Sequence, residues 1–352
     1  YYKYIEYLII IISVTITIIA SMYKIKHPFW DKQPVMRDKT TKVGLISKNL
    51  KFNIKLKSNQ KLHINNYSFN KIYSFLDKNF SNNYNINEIY FKYIFNKFNS
   101  YNITLTEDDN IIGFIHCDPI DIMYNNHKIK FNYVDYLCIS PEHRKNYTAT
   151  ILIASIINMF PRDTPFMFKI DKYKLPFQHI LKSFYYVKDL RSLKPKLQTN
   201  IERITPFNFY KYYKYTNALL KRYKFRKHYT KKEFYEIFLK NKVLDMFIIN
   251  NISGHRTIII GKKNIYNNLS QIYNSFEIDL IIGEVRYTTD VYEILSKYLK
   301  NKGYSFISIA SIGNNIQFIK NNNFVKSCPI YYYTYNYYIP YINDNDCGFN
   351  IN

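Results

Sequence analysis

The amino-acid sequence predicts a mixed α/β (α+β) protein made of two similar units in tandem, with a membrane-spanning helix before them. The tandem arrangement rests on element order. Helices, alternating strands, an apolar helix and a further strand occur once, and the same order begins again after about Lys196. The membrane helix rests on an uncharged apolar run near the start of the chain. With 352 residues, the chain is long enough for two domains with buried cores.

The apolar run is YLIIIISVTITIIASMY, residues 7–23, which contains no charged residue, proline or glycine. Its length is close to the shortest that crosses a bilayer, and a tyrosine at each end is typical of the membrane interface. Basic residues follow it at Lys24, Lys26, Lys32, Arg37 and Lys39. Because basic loops stay on the cytoplasmic side, we expect the rest of the chain to face the cytosol. A cleaved signal peptide is the alternative, but its positive charge should precede the apolar run.

The formal net charge is +24, and three interpretations of it remain open. Such a charge suits a nucleic-acid binder, a protein on an anionic membrane, or a lysine-rich solvated surface. The lysines are scattered along the chain without a compact basic stripe, and Arg, the better reader of bases, is scarce. We therefore expect nucleic acid to be the weaker functional option. The abundance of Lys, Asn, Ile and Tyr indicates an AT-rich genome, which together with the anchor would suit a large DNA virus and a virion or host-cell membrane.

The four cysteines, Cys117, Cys138, Cys328 and Cys347, form no CxxC pair. A chain of this length does not need disulfides, so we expect a reducing compartment. The spacing of these cysteines and nearby histidines matches no standard metal site, and we expect no bound metal.

The first unit begins with helical spacing at residues 69–80, where Ile72, Phe75, Leu76 and Phe80 share one face. Turn signals then separate the following elements. We expect a helix at 87–98, strands at 101–108, 110–122 and 127–140, an apolar helix at 148–160 and a strand at 165–170.

The second unit repeats this order. We expect helices at 209–225 and 231–241, strands at 243–250, 256–263 and 277–285, a helix at 290–303, a strand at 304–311, a short helix at 314–324 and a strand at 330–339. Gly303 lies in the C-cap position of its helix. The predicted units are therefore residues 24–196 and 197–352, after an anchor at residues 1–23.

The stretch VDYLCISPEHRK, residues 134–145, predicts a strand that runs through a proline turn into a basic helix start. Such corners bind phosphate-bearing cofactors, because backbone N–H groups and the positive end of the helix dipole point outward. Acetyltransferase-like folds carry the pattern Arg-x-x-Gly-x-Gly/Ala at this point. Here Arg144 and Ala149 fit the pattern, and Tyr147 stands in place of the first glycine.

Several motifs together give a more specific indication. They are FWDKQPV at residues 29–35, GFIHCDPIDI at 113–122, YLCISPEHRKNYTA at 136–149 and GYSFISIASIGNNIQFI at 303–319. In kind and order they resemble the N-myristoyltransferases, which transfer tetradecanoate from CoA to an N-terminal glycine. The resemblance runs from about residue 27 to residue 352. It implies a tandem acetyltransferase-like (GNAT) repeat of the N-myristoyltransferase type.

The resemblance also implies a site, with myristoyl-CoA as acyl donor and an N-terminal glycine peptide as acceptor. The backbone N–H groups of Tyr136 and Leu137 would form the oxyanion hole, and the C-terminal carboxylate of Asn352 would be the base. Acyl-CoA would contact Phe29, Trp30, Gln33, Val35, Cys138, Ile139, Arg144, Lys145, Asn146, Tyr147, Thr148 and Ala149. A peptide groove would include Phe168, Asp171, Tyr186 and Ser311.

Departures from the family pattern cluster on the peptide side. The acidic loop of the family is replaced by FSNNY at residues 80–84, and Ser311 stands where the family has an aspartate. Two interpretations therefore stay open. The protein is an acyltransferase with an altered peptide preference, or it keeps the fold without activity as a membrane-anchored structural or binding component. An unrelated basic membrane protein or nucleic-acid binder is a third alternative.

Overall fold

A computed structural model describes residues 29–36, 42–48, 51–80, 84–194, 201–250, 255–268, 271–284 and 288–350. The predicted anchor lies outside these ranges and stays a prediction. Within them, no helix has both the length and the apolar character needed to cross a bilayer.

The first part of the chain supplies eight strands and three helices among the described residues. The strands are β1 (Gly44–Leu45), β2 (Gln60–Ile64), β3 (Tyr84–Asn85), β4 (Tyr101–Glu107), β5 (Asn110–Tyr124), β6 (His127–Ile139), β7 (Phe166–Asp171) and β8 (Leu181–Asp189). The helices are α1 (Phe69–Asn79), α2 (Glu88–Phe95) and α3 (Thr148–Asn158).

The second part repeats the pattern. Its strands are β9 (Ile201–Arg203), β10 (Phe225–Lys227), β11 (Asp245–Asn250), β12 (Arg256–Asn268), β13 (Gln271–Ile282), β14 (Phe306–Ala310), β15 (Val325–Tyr335), β16 (Tyr337–Tyr338) and β17 (Cys347–Gly348). Its helices are α4 (Phe209–Leu220), α5 (Lys231–Tyr235), α6 (Thr288–Asn301) and α7 (Asn315–Asn321). A π-helical turn, Glu236–Lys240, continues α5.

One sheet of 15 strands joins both parts. Its main order is β17-β10-β5-β6-β7-β15-β8-β14-β13-β12-β11-β9. The strand β15, from the end of the chain, therefore lies between β7 and β8, while β8 pairs with β14. Each part completes its sheet with a strand of the other, so the two parts share a continuous hydrogen-bonded ladder. The predicted division at residue 196 stays a prediction.

Helices cover both faces of the first part of the sheet. On one face, Leu152 and Ile156 of α3 pack with Ile115 of β5. On the other face, α1 and α2 pack against Phe114 and Cys138. Neighbouring residues of β5 thus point to opposite faces, as strand geometry requires. This arrangement places the N-terminus of α3 directly at the end of β6.

The predicted helices and strands occur in the predicted order, but the structure has further strands, and several predicted bounds differ. The helix expected at 209–225 ends at Leu220, because Phe225 instead pairs with Tyr124 of β5 and Cys347 of β17. Phe80, expected on a buried helix face, is 40% exposed and forms the C-cap of α1. Strand β8 was not predicted from the sequence.

Candidate functional site

Strands β6 and β7 diverge at the point where the sequence predicted a cofactor corner. They pair in parallel at only two positions, Asn132 with Phe166 and Tyr133 with Met167. Beyond Tyr133, β6 continues beside β5 to Ile139, while β7 continues beside β15 to Asp171. A gap therefore opens between β6 and β7 along residues 134–139.

A β-bulge lies on the edge of this gap. The pairing of β5 and β6 jumps from Phe114–Cys138 to His116–Asp135, so that Tyr136 and Leu137 together oppose one residue. Tyr136 has a φ of 51°, in the left-handed region that aromatic residues seldom adopt. Bulges of this kind redirect the backbone and are frequent beside active sites.

The two predicted oxyanion donors lie in this bulge, and one of them already has an acceptor. The N–H group of Tyr136 donates to Oδ1 of Asp135 at 2.8 Å. Burial raises the pKa of the Asp135 carboxyl, against the opposing effects of Lys169 and of the Tyr136 N–H group. The Tyr136 ring packs on Phe91, with ring centroids 4.9 Å apart.

The predicted phosphate corner lies at the end of β6. A 3-10 turn, Pro141–His143, leads to Tyr147, which is the N-cap of α3 and has a φ of 60°. Glycine favours this left-handed conformation, and here tyrosine adopts it at the position where the acetyltransferase pattern has a glycine. No side chain caps α3, and its first N–H groups have no intrahelical acceptor. The corner can therefore hold an anion through residues 145–149 and the helix dipole.

His143 and Glu107, which were not among the predicted site residues, hold the corner in place. The imidazole Nδ1 of His143 lies 2.8 Å from Oγ of Ser140, and its Nε2 lies 2.8 Å from Oε2 of Glu107 on β4. Hydrogen bonds from His143, and then from Lys57, hold the pKa of Glu107 below its usual value. This contact fastens the turn before α3 to the neighbouring strand.

The guanidinium of Arg144 also binds the protein itself. Its Nε donates to the carbonyl of Ile139 at 3.2 Å, and Nη2 donates to the carbonyl of Asn79 at 3.4 Å. These bonds tie the corner to the end of α1. The predicted contact between Arg144 and acyl-CoA stays a prediction.

The absence of a side chain at Gly113 allows α3 to lie close to β5. A Cβ atom at this position would be 2.8 Å from Cδ1 of Leu152 and 3.4 Å from Cγ2 of Thr148. Both of these residues belong to α3. The glycine of the GFI motif therefore sets the distance between the helix and the sheet.

The FWDKQPV segment packs on β7 and β15. Trp30 lies 4.9 Å from Phe177 and stacks at 6.2 Å on Phe168, measured between ring centroids. The buried Gln33 accepts a hydrogen bond from the hydroxyl of Tyr335 at 2.7 Å. Trp30 and Val35 belong to the same hydrophobic cluster as Ile139 and α3. The structure thus brings the predicted acyl-CoA elements into one region.

Cys138 borders the gap but is not suited to act as a nucleophile. Its side chain is buried against α1 and α2. Burial raises the pKa of the thiol to about 12, so that it stays protonated at neutral pH.

A cavity of about 80 Å³, lined by both apolar and charged side chains, lies between strands and helices of both parts. Its lining includes Tyr133 of β6 and, near the end of the chain, Phe349 and Asn350. Asn352 lies outside the described residues, so the predicted base stays a prediction. The described chain nevertheless ends with two residues at the wall of this cavity.

Two ion pairs line the cavity as well. Lys227 Nζ lies 2.9 Å from Oε1 of Glu233, and Lys97 pairs with Asp118. Burial acts to raise the pKa of Glu233, but Lys227 outweighs it, and the carboxyl pKa is lowered. Lys227 therefore favours the ionised form of the Glu233 carboxyl at the wall of the cavity.

The four residues predicted for a peptide groove do not lie at this cavity. Phe168 stacks on Trp30, and Asp171 ends β7. Tyr186 packs against the core of the second part, and the hydroxyl of Ser311 accepts from the backbone N–H of Phe184 at 3.0 Å. None of them is among the described residues that line this cavity of about 80 Å³. Their role in a groove stays a prediction.

A buried network of charged and polar side chains joins β7, β8, β12 and β13, and the sequence did not predict it. Lys169 of β7 donates to the Tyr185 hydroxyl at 3.2 Å, and that hydroxyl lies 3.4 Å from Glu277 of β13. Lys262 lies 3.7 Å from the same carboxylate. Burial acts to lower the pKa of Lys169, but the carboxylates nearby, Asp171 first, raise it overall. A lysine within an apolar strand pattern was the only sequence signal for this network.

No family model and no curated protein matches this sequence, whereas several solved structures have a similar fold. Three are crystal structures of Saccharomyces cerevisiae N-myristoyltransferase with bound myristoyl-CoA, one of them also with inhibitors, at 13% sequence identity. The similarity covers 93% of this chain and 100%, 95% and 94% of those chains, with TM-scores of 0.80, 0.79 and 0.76. The likeness shows that this chain has the mixed α/β fold of that enzyme. The fold class predicted from the sequence is confirmed to this extent.

Proposed function

We propose that this protein is an N-acyltransferase that moves a long-chain acyl group, tetradecanoyl, from CoA to the N-terminal glycine of a peptide. The observation that supports this best is the gap between β6 and β7, which leads through a bulge into the uncapped start of α3. Within a fold like that of N-myristoyltransferase, these features supply an anion site and a thioester site next to each other.

In this proposal, the gap holds acyl-CoA. The backbone N–H groups of residues 145–149 bind the pyrophosphate, because the start of α3 carries partial positive charge. The thioester carbonyl lies at the bulge, where Leu137 and Tyr136 donate to the oxyanion. Loss of one such donor typically lowers the rate about 100- to 1000-fold.

The reaction needs a base. The base first removes one proton from the glycine ammonium group. The amine then attacks the thioester carbonyl carbon and the C–S bond breaks. The second proton that the nitrogen loses goes to the CoA thiolate. The α-carboxylate of Asn352 is the proposed base. Its ordinary pKa of about 3.5 is far below the value of about 8 for an α-amino group, so burial of both groups in the complex must bring the two values closer.

A second candidate function is supported by the hydrogen bond between Asp135 and Tyr136. Because the Asp135 carboxyl occupies the N–H group of Tyr136, one oxyanion donor is blocked until this bond breaks. A protein that binds acyl-CoA without transferring it would be compatible with this contact. It would then act as a binding or structural component.

The decisive experiment combines binding and transfer on the full-length chain. Myristoyl-CoA is titrated calorimetrically, with acetyl-CoA as a control for chain length. Transfer to a library of glycine-terminated peptides is then followed by peptide mass and by release of the CoA thiol. We expect binding selective for the long chain and acylation of a subset of peptides.

Two variants at the end of the chain test the base. A short extension after Asn352 moves the carboxylate away and should abolish transfer while leaving acyl-CoA binding intact. Asn352→Ala keeps the terminal carboxylate and should remain active. An active extended variant contradicts the proposed base. Binding without transfer in the wild type favours the second candidate, and absence of binding contradicts both.

A further inference from the structure

Helix α4 presents an unusual outer face. Its inner face buries Tyr212, Thr216 and Leu220 at helical spacing. The opposite side exposes Tyr210, and Phe207 in the turn before the helix is 100% exposed. Exposure of a large apolar side chain to water is unfavourable, so this face of the helix requires an explanation.

The start of α5 lies beside these aromatic residues. The Nζ atom of Lys231 is 5.1 Å, and that of Lys214 is 4.5 Å, from the centroid of the Tyr210 ring. The ring of Tyr235, also exposed, lies 5.9 Å from Phe209. We call this region the basic aromatic surface, defined by Phe207, Tyr210, Lys211, Lys214, Lys231, Lys232 and Tyr235.

This surface carries a concentrated positive charge. Residues 205–232 include many lysines and no Asp or Glu. Within this stretch Lys224 pairs with Asp346, and Lys227 pairs with Glu233. Lys211, Lys214, Lys231 and Lys232 are exposed and form no ion pair with any carboxylate in the described ranges. The expectation that the lysines form no compact group is therefore wrong for this part of the chain.

We propose that the basic aromatic surface binds an anionic lipid bilayer, with Phe207 inserted among the acyl chains and the lysines at the headgroups. Lysines that surround exposed aromatic residues provide both contributions to interfacial binding, apolar burial and attraction to anionic lipid. This binding is separate from the apolar run at residues 7–23 and from acyl transfer.

The geometry favours lipid over single-stranded nucleic acid. Binding of bases needs open aromatic faces on which they can stack. Lys214 and Lys231 both lie against the Tyr210 ring, and Phe207, although fully exposed, is a single ring on a proline turn ahead of the helix and does not form a series of stacking faces. The four cations that define this surface are all lysines, which bind phosphate as point charges and do not read bases as arginine does.

The test places a probe at Phe207 in the full-length protein. The emission that Phe207→Trp adds to that of Trp30 is recorded with phosphatidylcholine vesicles, with and without phosphatidylserine, that contain brominated acyl chains. Quenching requires contact between the indole and the bromine atoms, so tethering through another segment does not produce it. Phe98→Trp is the matched control, because Phe98 is also exposed, at 86%, but lies outside this surface.

We expect a blue shift and quenching at position 207 with phosphatidylserine, and neither at position 98. In the Phe207→Trp background, adding Lys211→Gln and Lys214→Gln should weaken partitioning about 25-fold, since each lysine near an anionic membrane contributes about fivefold. Lys51→Gln with Lys55→Gln removes the same charge from other exposed positions and should have little effect.

Three results would overturn the proposal. The first is absence of quenching at position 207 although the protein sediments with the vesicles. The second is an equal loss of partitioning with the control pair of lysines. The third is tighter, saturable binding of a single-stranded oligonucleotide that is lost in the Lys211 and Lys214 variant, which would assign the surface to nucleic acid.

Discussion

The contact between Gly113 and Leu152 determines how closely α3 approaches the sheet, and Gly113→Ala tests its importance. The new Cβ would lie 2.8 Å from Cδ1 of Leu152, about 1 Å inside an ordinary carbon–carbon contact. Leu152 is fully buried, so its Cδ1 can move only by displacing the packed side chains around it. Overpacking of this kind costs about 1–3 kcal/mol, partly offset by about 0.4–1 kcal/mol because alanine restricts the unfolded chain. We expect a net loss of about 1–2 kcal/mol in the free energy of unfolding.

Displacement of α3 should also disturb the corner that begins at Tyr147. The substitution should therefore weaken myristoyl-CoA binding, which is measured by calorimetric titration of the folded variant. Unfolding is followed by urea denaturation, where a shift in midpoint at constant slope reports stability.

A double-mutant cycle separates this contact from a general effect of the substitution. Leu152→Ala alone should cost about 2–5 kcal/mol, because it leaves a cavity. In the double variant, the methyl group introduced at position 113 enters that space. The double variant should therefore lose at least about 1 kcal/mol less stability than the sum of the losses of the two single variants. Leu299→Ala, in the separate core of the second part, should be additive with Gly113→Ala. Additive losses for the Leu152 pair would refute the steric reasoning.

Two further predictions concern buried polar groups. Ser311→Ala should destabilise the fold by about 1–3 kcal/mol, because it leaves the Phe184 N–H group without its acceptor. It should not change the KM for peptide. A raised KM at unchanged stability would instead place Ser311 in the groove. Burial lowers the pKa of His116 to about 4, so the unfolded chain takes up a proton at higher pH than the folded chain. The free energy of unfolding of the wild type should therefore fall by roughly 3 kcal/mol between about pH 6.5 and pH 4. His116→Gln should show a much shallower fall. Parallel pH profiles of the melting temperature for the two proteins would contradict this prediction.

Much of the site's backbone could be predicted from local sequence. The strand, turn and helix around residues 134–149 follow from apolar alternation, Pro141 and the apolar helix after it. The family resemblance also selected Tyr136 and Leu137, the two residues of the bulge, but it did not predict the bulge itself. The backbone conformation at Tyr147 is set by the turn and by the helix that follows, which together outweigh the preference of one side chain.

The contacts between side chains at the site could not be predicted from local sequence. Nothing local to Glu107 indicates His143, which is far from it in the chain and reaches it through the end of β6. Likewise, Lys169 and Glu277 come from different parts of the chain, and they approach each other because β8 carries Tyr185 between them. Such contacts depend on strand pairing across long sequence separations.

The sequence by itself determined the order of helices and strands, the basic corner and the resemblance to an acyltransferase family, because periodicity and turn residues act over a few positions. Only the tertiary structure decided that β15 lies between β7 and β8, that Asp135 occupies the N–H group of Tyr136, and that lysines and aromatic residues of α4 and α5 form one exposed surface. The physical reason is that strand exchange and burial depend on the free energy of the whole sheet, to which distant segments contribute jointly.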